Sequence, residues 1–468
     1  MKNNITKSLL FRISITALTV IIGIGVGLRQ TITPPLPDKN SPYYSAYKRM
    51  LANIEKFSTE PHPSGSAEIE KVREYIITEI ESMGCIPIIE ERIYTVNEIA
   101  DRIIASYGVD RTDDTFITFI NGLPVDESGN VKLKNIFVKL ESPGADSIML
   151  FESHYDSAND ESPGASDDMQ AVCAQLETIR SHVNNTSLKT DLYFLFTDAE
   201  EIGILGARAF VEAHPELNEK VSIVVDMDAS GGGPLLLSQV NPNFSIVQMT
   251  VASGTRSMMS SLVVAMGAKG TSNFEVFRTT GYDGKGLCFS ASFDSQNAHT
   301  MNDSYKNMDK ATAWHFLHTS LSLANYAANN SLANINDSPQ EGIYAPLMSR
   351  AGLNLLMVLP VAYALAILPC VLALTWAVLQ IMRKQFKVTF LVIIQGLLVI
   401  CSIGTAVFLI EGNYIFSIPL LVMTITKLLE KWPPAYITAK VISGIITLML
   451  WTPVIYIYYM AELRHMLR

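Results

Sequence analysis

Apolar residues are spread unevenly along this 468-residue chain, and that restricts its architecture more than any single motif does. From Leu353 onward one apolar run follows another, whereas Tyr43 to Ile335 has the mixed composition of a globular domain. A further apolar stretch ends near Leu28, preceded by Lys2, Lys7 and Arg12. A cleavable secretory signal carries the same charge pattern, but no Ala-x-Ala-like site follows and "TPPLPD" reads as a stiff linker, so an uncleaved anchor is expected. The basic residues then place the N-terminus in the cytoplasm and the globular part outside it. The C-terminal runs, beginning at Leu353, Val388, Tyr414 and Val441, are expected to supply three or four transmembrane helices, with "RKQFK" (383–387) cytoplasmic. The basic tail "RHMLR" also prefers the cytoplasm, which conflicts with four full spans after one anchor. No ionisable residue sits deep in these runs, so a transport path is not indicated. The expected organisation is an anchor and linker at 1–42, an extracytoplasmic domain at 43–335, and a membrane region at 336–468. The lipid bilayer is thus an expected partner.

Charge and cysteine usage exclude other classes. The formal net charge of −10 gives no support to nucleic-acid binding. The five cysteines are scattered, with no CxxC, which argues against a disulfide scaffold and a zinc ribbon.

Within 43–335 the pattern alternates. Apolar residues at Ile69, Val72, Ile76, Ile80 and Met83 keep helical spacing, with Ser66 as N-cap and Gly84 as stop. Strand-like runs follow: "IPIIEERIY", "NIFVKL", "SIMLFES", "LYFLFT" and "VSIVVDMD". Helical patterns lie among and after them, in "MQAVCAQLETIRSH", "GARAFVEAH" and "KATAWHFLHTSLSLANYA". Continuous apolar strands alternating with amphipathic helices predict an α/β domain with a mixed, mainly parallel central sheet flanked by helices.

Ligands of such sheets bind at the carboxyl ends of the strands. Three strand ends here are polar: "SIMLF" runs into "ESHYDS", "LYFLF" into "TDAEE", and "SIVV" into "DMDASGG". The stretch "FESHYDSANDESPGASDD" (151–168) holds six acids and one histidine. Like charges so close raise one another's pKa and destabilise a fold unless a cation sits among them. His154, Asp167, Glu201, Asp228 and the distant His299 are candidate ligands for two zinc ions, whose charge three carboxylates and a hydroxide offset. Glu200 would stay unligated and act as the base. Each motif alone reads as a solvated turn or a helix cap; their joint occurrence at strand ends favours the metal.

In their order, "HYDS", "PGASDD", "DAEE", "DMDASGGG" and "AHTMND" resemble metallopeptidase family 28, the dizinc aminopeptidases. "PHPSGSAEIEKVREYI" and "KNIFVKL" look like its membrane-bound branch, which includes endoplasmic reticulum metallopeptidase and vacuolar membrane protease. The resemblance covers roughly Tyr43 to Ile335. It implies that His154 and Asp228 each bind one zinc, that Asp167 bridges both, and that Glu201 and His299 hold the second. It also implies that Glu200 is general base and then acid, and that Asp156 supports the site beside His154. Asp168 and Asp303 would be structural. Position 228 is Asp where the branch often has Glu; both ligate. The C-terminal runs are fewer than in the eukaryotic members, which suggests a bacterial cell membrane, or the endoplasmic reticulum or vacuole membrane if the chain is eukaryotic. N-terminal residues of peptides would be the substrate. Two alternatives share the fold: a glutaminyl-cyclase-like acyltransferase with one zinc, and a receptor-like domain without metals. Every dizinc ligand position is filled, which counts against both.

Aromatic residues of the 271–300 stretch, Phe274, Phe277, Tyr282 and Phe289, are candidate walls of a side-chain pocket, with core packing the better reading for most.

Overall fold

The computed structural model describes residues 34–337 apart from 108–109, 241–242, 258–271, 282–284 and 292–294, together with the backbone of strands Gly342–Pro346 and Leu356–Pro360. Ile32–Met259 and Ala268–Tyr344 form one structural unit. Among the described residues no helix is long and apolar enough to cross a membrane. The anchor and the spans expected from the sequence lie outside the described residues, except that Leu356–Pro360, in the first C-terminal run, is a strand.

The unit begins with helices α1 (Tyr44–Phe57) and α2 (Ala67–Ser82). The Ser66 hydroxyl accepts the Ile69 N–H at 3.1 Å, so the expected N-cap closes α2. Strand β1 (Ile88–Thr95) leads through α3 (Val96–Tyr107) and α4 (Asp114–Asn121) to β2 (Asn130–Leu140). Next come β3 (Ile148–His154), α5 (Gln170–His182), β4 (Asp191–Thr197), α6 (Leu205–Ala213) and β5 (Val221–Asp228). β6 (Leu236–Val240), α7 (Phe244–Ala252), β7 (Gly286–Ser290) and α8 (Lys310–Asn329) complete it.

One seven-stranded sheet runs in the order β1-β2-β4-β3-β5-β7-β6. The four central strands, β4, β3, β5 and β7, are parallel. The three outer pairings, β1–β2, β2–β4 and β6–β7, are antiparallel. The sheet is therefore mixed in equal parts, and "mainly parallel" holds only for its centre. An apolar run reports burial on both faces, not the direction of its neighbour, so the outer strands could not be oriented from composition.

Burial follows the layers. All seven residues of β3 are buried, as are nearly all of β4 and β5. Beneath one face Phe137, Leu150, Leu195, Phe210 and Val224 form a core with Phe277. A second cluster joins Tyr94, Ile99, Leu133 and Leu205. α5 and α8 pack together elsewhere, where the Thr178 and Ser320 hydroxyls meet at 2.8 Å. Phe151 and Phe194 stack at 5.1 Å between centroids; truncating such a buried ring costs about 3–5 kcal/mol. Phe274, Phe277 and Phe289 are all core residues, no more than 1% exposed. Tyr282 lies outside the described residues.

Candidate metal centre

The carboxyl ends of β3, β4 and β5 lie side by side, and they deliver the acids. His154 closes β3 and Asp228 closes β5. β4 ends at Thr197, three residues before Glu200. Ala199, between them, holds a left-handed φ of 62°, an unfavourable conformation for a residue with a Cβ. The turn aims two backbone N–H groups at one carboxylate: Asp156 accepts from Glu200 at 3.1 Å and from Glu201 at 3.2 Å. Asp156 also faces His154, whose Nδ1 lies 3.0 Å from the Asp156 carbonyl and 3.5 Å from its carboxylate. That leaves Nε2 of His154 to face the cluster.

Asp167 stands at the centre. Its Oδ1 lies 3.1 Å from His154 Nε2 and its Oδ2 3.3 Å from His299 Nε2. His299 Nε2 is also 3.2 Å from Glu201 Oε1. The loop before Asp167 turns at Gly164, where φ is +66° and a Cβ would stand 2.9 Å from the Asp167 carbonyl, so a side chain does not fit. The Asp167–Asp168 peptide bond is cis.

Three sets of side chains bring ligating atoms within 4.8 Å of one another: His154 with Asp167 and Asp228, Asp167 with Glu201 and His299, and His154 with Glu200 and Glu201. All five expected ligands are thus gathered, together with Glu200 and Asp156. Asp168 is buried there too.

The electrostatics show what this cluster lacks. Burial, then Asp167, pushes Asp228 up to about 8. Burial raises Glu200 well above the carboxylate range, with Asp228 and Glu201 adding to it against His154. Glu201 and Asp168 rise for the same first cause. The histidines go the opposite way. Asp167 and Glu201 push His299 up to about 10. Burial opposes charge on His154, but Asp156 and Asp167 outweigh it. Against burial, His154 and His299 hold Asp167 itself down; the other acids are driven towards neutrality, a crowding of negative charge that a cation would relieve. Nitrogen and carboxylate donors gathered this closely are the kind of set that zinc takes.

Two residues matter more than the sequence suggested. Asp303 was expected to be structural, and its role is specific. Its carboxylate accepts the N–H groups of Ser166 at 2.7 Å and Asp167 at 3.1 Å, and its carbonyl accepts the Ala165 N–H at 3.1 Å. The "HTMND" loop therefore supplies His299 and fixes the backbone of Asp167. Asn159 donates to the His299 carbonyl at 2.9 Å, which ties the two loops together where His299 holds a φ of 59°. Neither contact spans a fixed sequence spacing, so only the fold reveals them.

Comparison with known proteins finds the following similarities. Residues 135–324 match the profile of peptidase family M28. The vacuolar membrane protease of Saccharomyces cerevisiae is 24% identical over 351 residues, which cover 72% of this chain and 33% of that protein. The vacuolar membrane protease of Eremothecium gossypii is 27% identical over 300 residues, covering 61% and 28%. The chain spans about a third of the length of the curated relatives it matches. Among solved structures, an aminopeptidase from Aneurinibacillus sp. strain AM-1 superposes with a TM-score of 0.45 at 16% identity, over 60% of this chain and 93% of that one. A glutaminyl cyclase from Fimbriiglobus ruber gives 0.44 at 14% identity, over 64% and 99%. On the strength of the matched residues, the chain carries a peptidase family M28 domain.

Proposed function

We propose that this domain is a dizinc aminopeptidase held at a membrane, which removes N-terminal residues from peptides. The observation that carries the reading is Asp167, whose two carboxylate oxygens face two separate histidines, each in its own triad of ligating groups. His154, Asp167 and Asp228 would hold one ion, and Asp167, Glu201 and His299 the other. Bound zinc supplies a Lewis acid for the scissile carbonyl and lowers the pKa of a water molecule.

The protein's own residues do the rest. Glu200 belongs to neither of those two triads, though its carboxylate lies within reach of His154 and Glu201. Its carboxylate is buried beside them, in the place of a group that takes a proton from water and returns it to the leaving amine. Asp156 fixes this base through the Glu200 N–H and orients His154 through its carbonyl. The surplus of negative charge around Glu201 and Asp228 also suits a substrate's free α-ammonium group. The apolar runs at both ends of the chain and the resemblance to vacuolar membrane proteases support membrane attachment with the domain on the extracytoplasmic side.

The test is hydrolysis of one peptide with a free and with an acetylated N-terminus by the full-length protein. Release of the first residue from the free form alone is expected. Equal cleavage of both forms, or internal cleavage, would overturn the exopeptidase assignment.

A further inference from the structure

Residues 62–82 precede the family-matched region, yet they reach the underside of the metal centre. His62 and Ser157 are joined twice, by the His62 N–H to the serine hydroxyl at 2.9 Å and the Ser157 N–H to the His62 carbonyl at 3.2 Å. In the second turn of α2, Arg73 sits among the residues of the apolar stripe and is 4% exposed. A guanidinium is seldom buried without fixed partners. Arg73 Nε donates to the Tyr155 hydroxyl at 2.7 Å and Nη2 to Asp198 Oδ2 at 3.2 Å, while Nη1 pairs with Glu70.

Both buried partners continue into the site. Tyr155 lies between His154 and Asp156, its hydroxyl donates to the Lys134 carbonyl, and its N–H donates to the Thr197 carbonyl at 2.9 Å. Asp198 precedes Glu200 by two residues, and Oδ2 also accepts the Lys134 N–H at 3.0 Å. On its other side Gly206 packs so closely that a Cβ would stand 2.2 Å from the Asp198 carbonyl. Arg73 thus grips both the segment carrying His154 and Asp156 and the segment carrying Glu200 and Glu201.

We propose that Arg73 is a positioning residue for the reaction: it locks the ends of β3 and β4 together through Tyr155 and Asp198, so that Asp156 meets the Glu200 and Glu201 N–H groups. The proposal rests on the roles given above to Glu200 and Glu201. Without the guanidinium, Asp198 stays buried opposite an uncharged gap, and the strained turn at Ala199 loses its brace.

The experiment compares wild type, Arg73→Ala and Arg73→Lys as full-length proteins. It measures zinc affinity by chelator competition, then kcat and KM on an aminoacyl substrate with and without added guanidinium. Arg73→Ala should weaken zinc binding or kcat by about 10- to 100-fold with KM little changed, as loss of an outer support of a metal site does. Guanidinium should restore much of the loss, and Arg73→Lys should retain part of the function. Zinc affinity and kcat within twofold of wild type in a folded Arg73→Ala protein would overturn the proposal, as would a loss that guanidinium does not relieve. If Arg73→Ala does not fold, the paired variant Arg73→Met with Asp198→Asn removes both charges. It should fold and remain impaired, and wild-type zinc affinity and kcat in it would overturn the proposal. A wild-type protein that cleaves no peptide would sink the peptidase reading alone, since the zinc measurement still decides the role of Arg73.

Discussion

Two sets of buried acids in this domain are balanced differently. Asp198 meets Arg73, and Glu177, 1% exposed, meets Arg49 at 2.6 Å and Arg180 at 3.3 Å. These carboxylates are compensated by the chain itself. Asp167, Asp168, Glu200, Glu201 and Asp228 form no ion pair with a lysine or arginine among the described residues; their only basic neighbours are His154 and His299. Folding does not leave that much like charge underground without a partner. The arginine-paired acids hold the frame; the others have histidines beside them, an excess of negative charge that the proposed ions would offset. A third arrangement lies just below, where Glu152 sits beside Asp226 in the middle of the sheet. Burial and then Asp226 push its pKa well up, and it is bonded to Thr197 and Asn273 at 2.7 Å each.

The comparison breaks most decisively at Glu200. Glu200→Gln keeps the shape and removes the proton acceptor, so turnover should fall about 10²- to 10⁴-fold while zinc content stays at the wild-type level. Retention of more than a few per cent of activity would show that Glu200 is not the base. On the other side of the comparison, Glu177→Gln should leave zinc binding and kcat untouched and lower the unfolding free energy by about 1–3 kcal/mol, measured by urea denaturation. A change in zinc affinity there would erase the distinction between the two sets.

The smallest effect concerns His214, which lies far from the cluster between Glu90 at 2.6 Å and Glu216 at 3.0 Å. Glu90 first, then Glu216, raises its pKa against the cost of burial. A histidine raised in the folded state stabilises fully below its unperturbed value of 6.5 and loses that contribution as the pH rises through the folded value. His214→Gln should therefore cost stability at a pH below 6.5 and little at alkaline pH. Equal cost at both would mean that the ring acts by packing on Phe137 and Phe210, not by charge.

Much of this was legible in the sequence because β3, β4 and β5 are continuous apolar runs that stop at polar residues, and a strand end is where a parallel sheet presents its chemistry. His154, Glu200, Glu201 and Asp228 came from that signal, and the boundaries of α2 from its helical spacing and its Ser66 cap. β6 and β7 did not: each is five residues long, and Gly286, Cys288 and Ser290 make β7 look like loop. α3 and α4, between β1 and β2, are only 12 and 8 residues long, too short for a clear helical period. Asp303 was invisible as a support for Asp167 because the two meet across 136 residues. Arg73 did leave a trace, since it falls within the stripe of Ile69, Val72, Ile76 and Ile80. A charge inside an apolar stripe predicts a buried partner, though not which one.

The central claim is that the unpaired acids at the strand ends hold two metal ions. Elemental analysis of the purified full-length protein, after dialysis in buffer without chelator, tests it directly. Two zinc ions per chain are the expected result, with Asp167→Asn retaining fewer. One ion per chain in the wild type, or none in a folded protein that also takes up no added zinc, would contradict it.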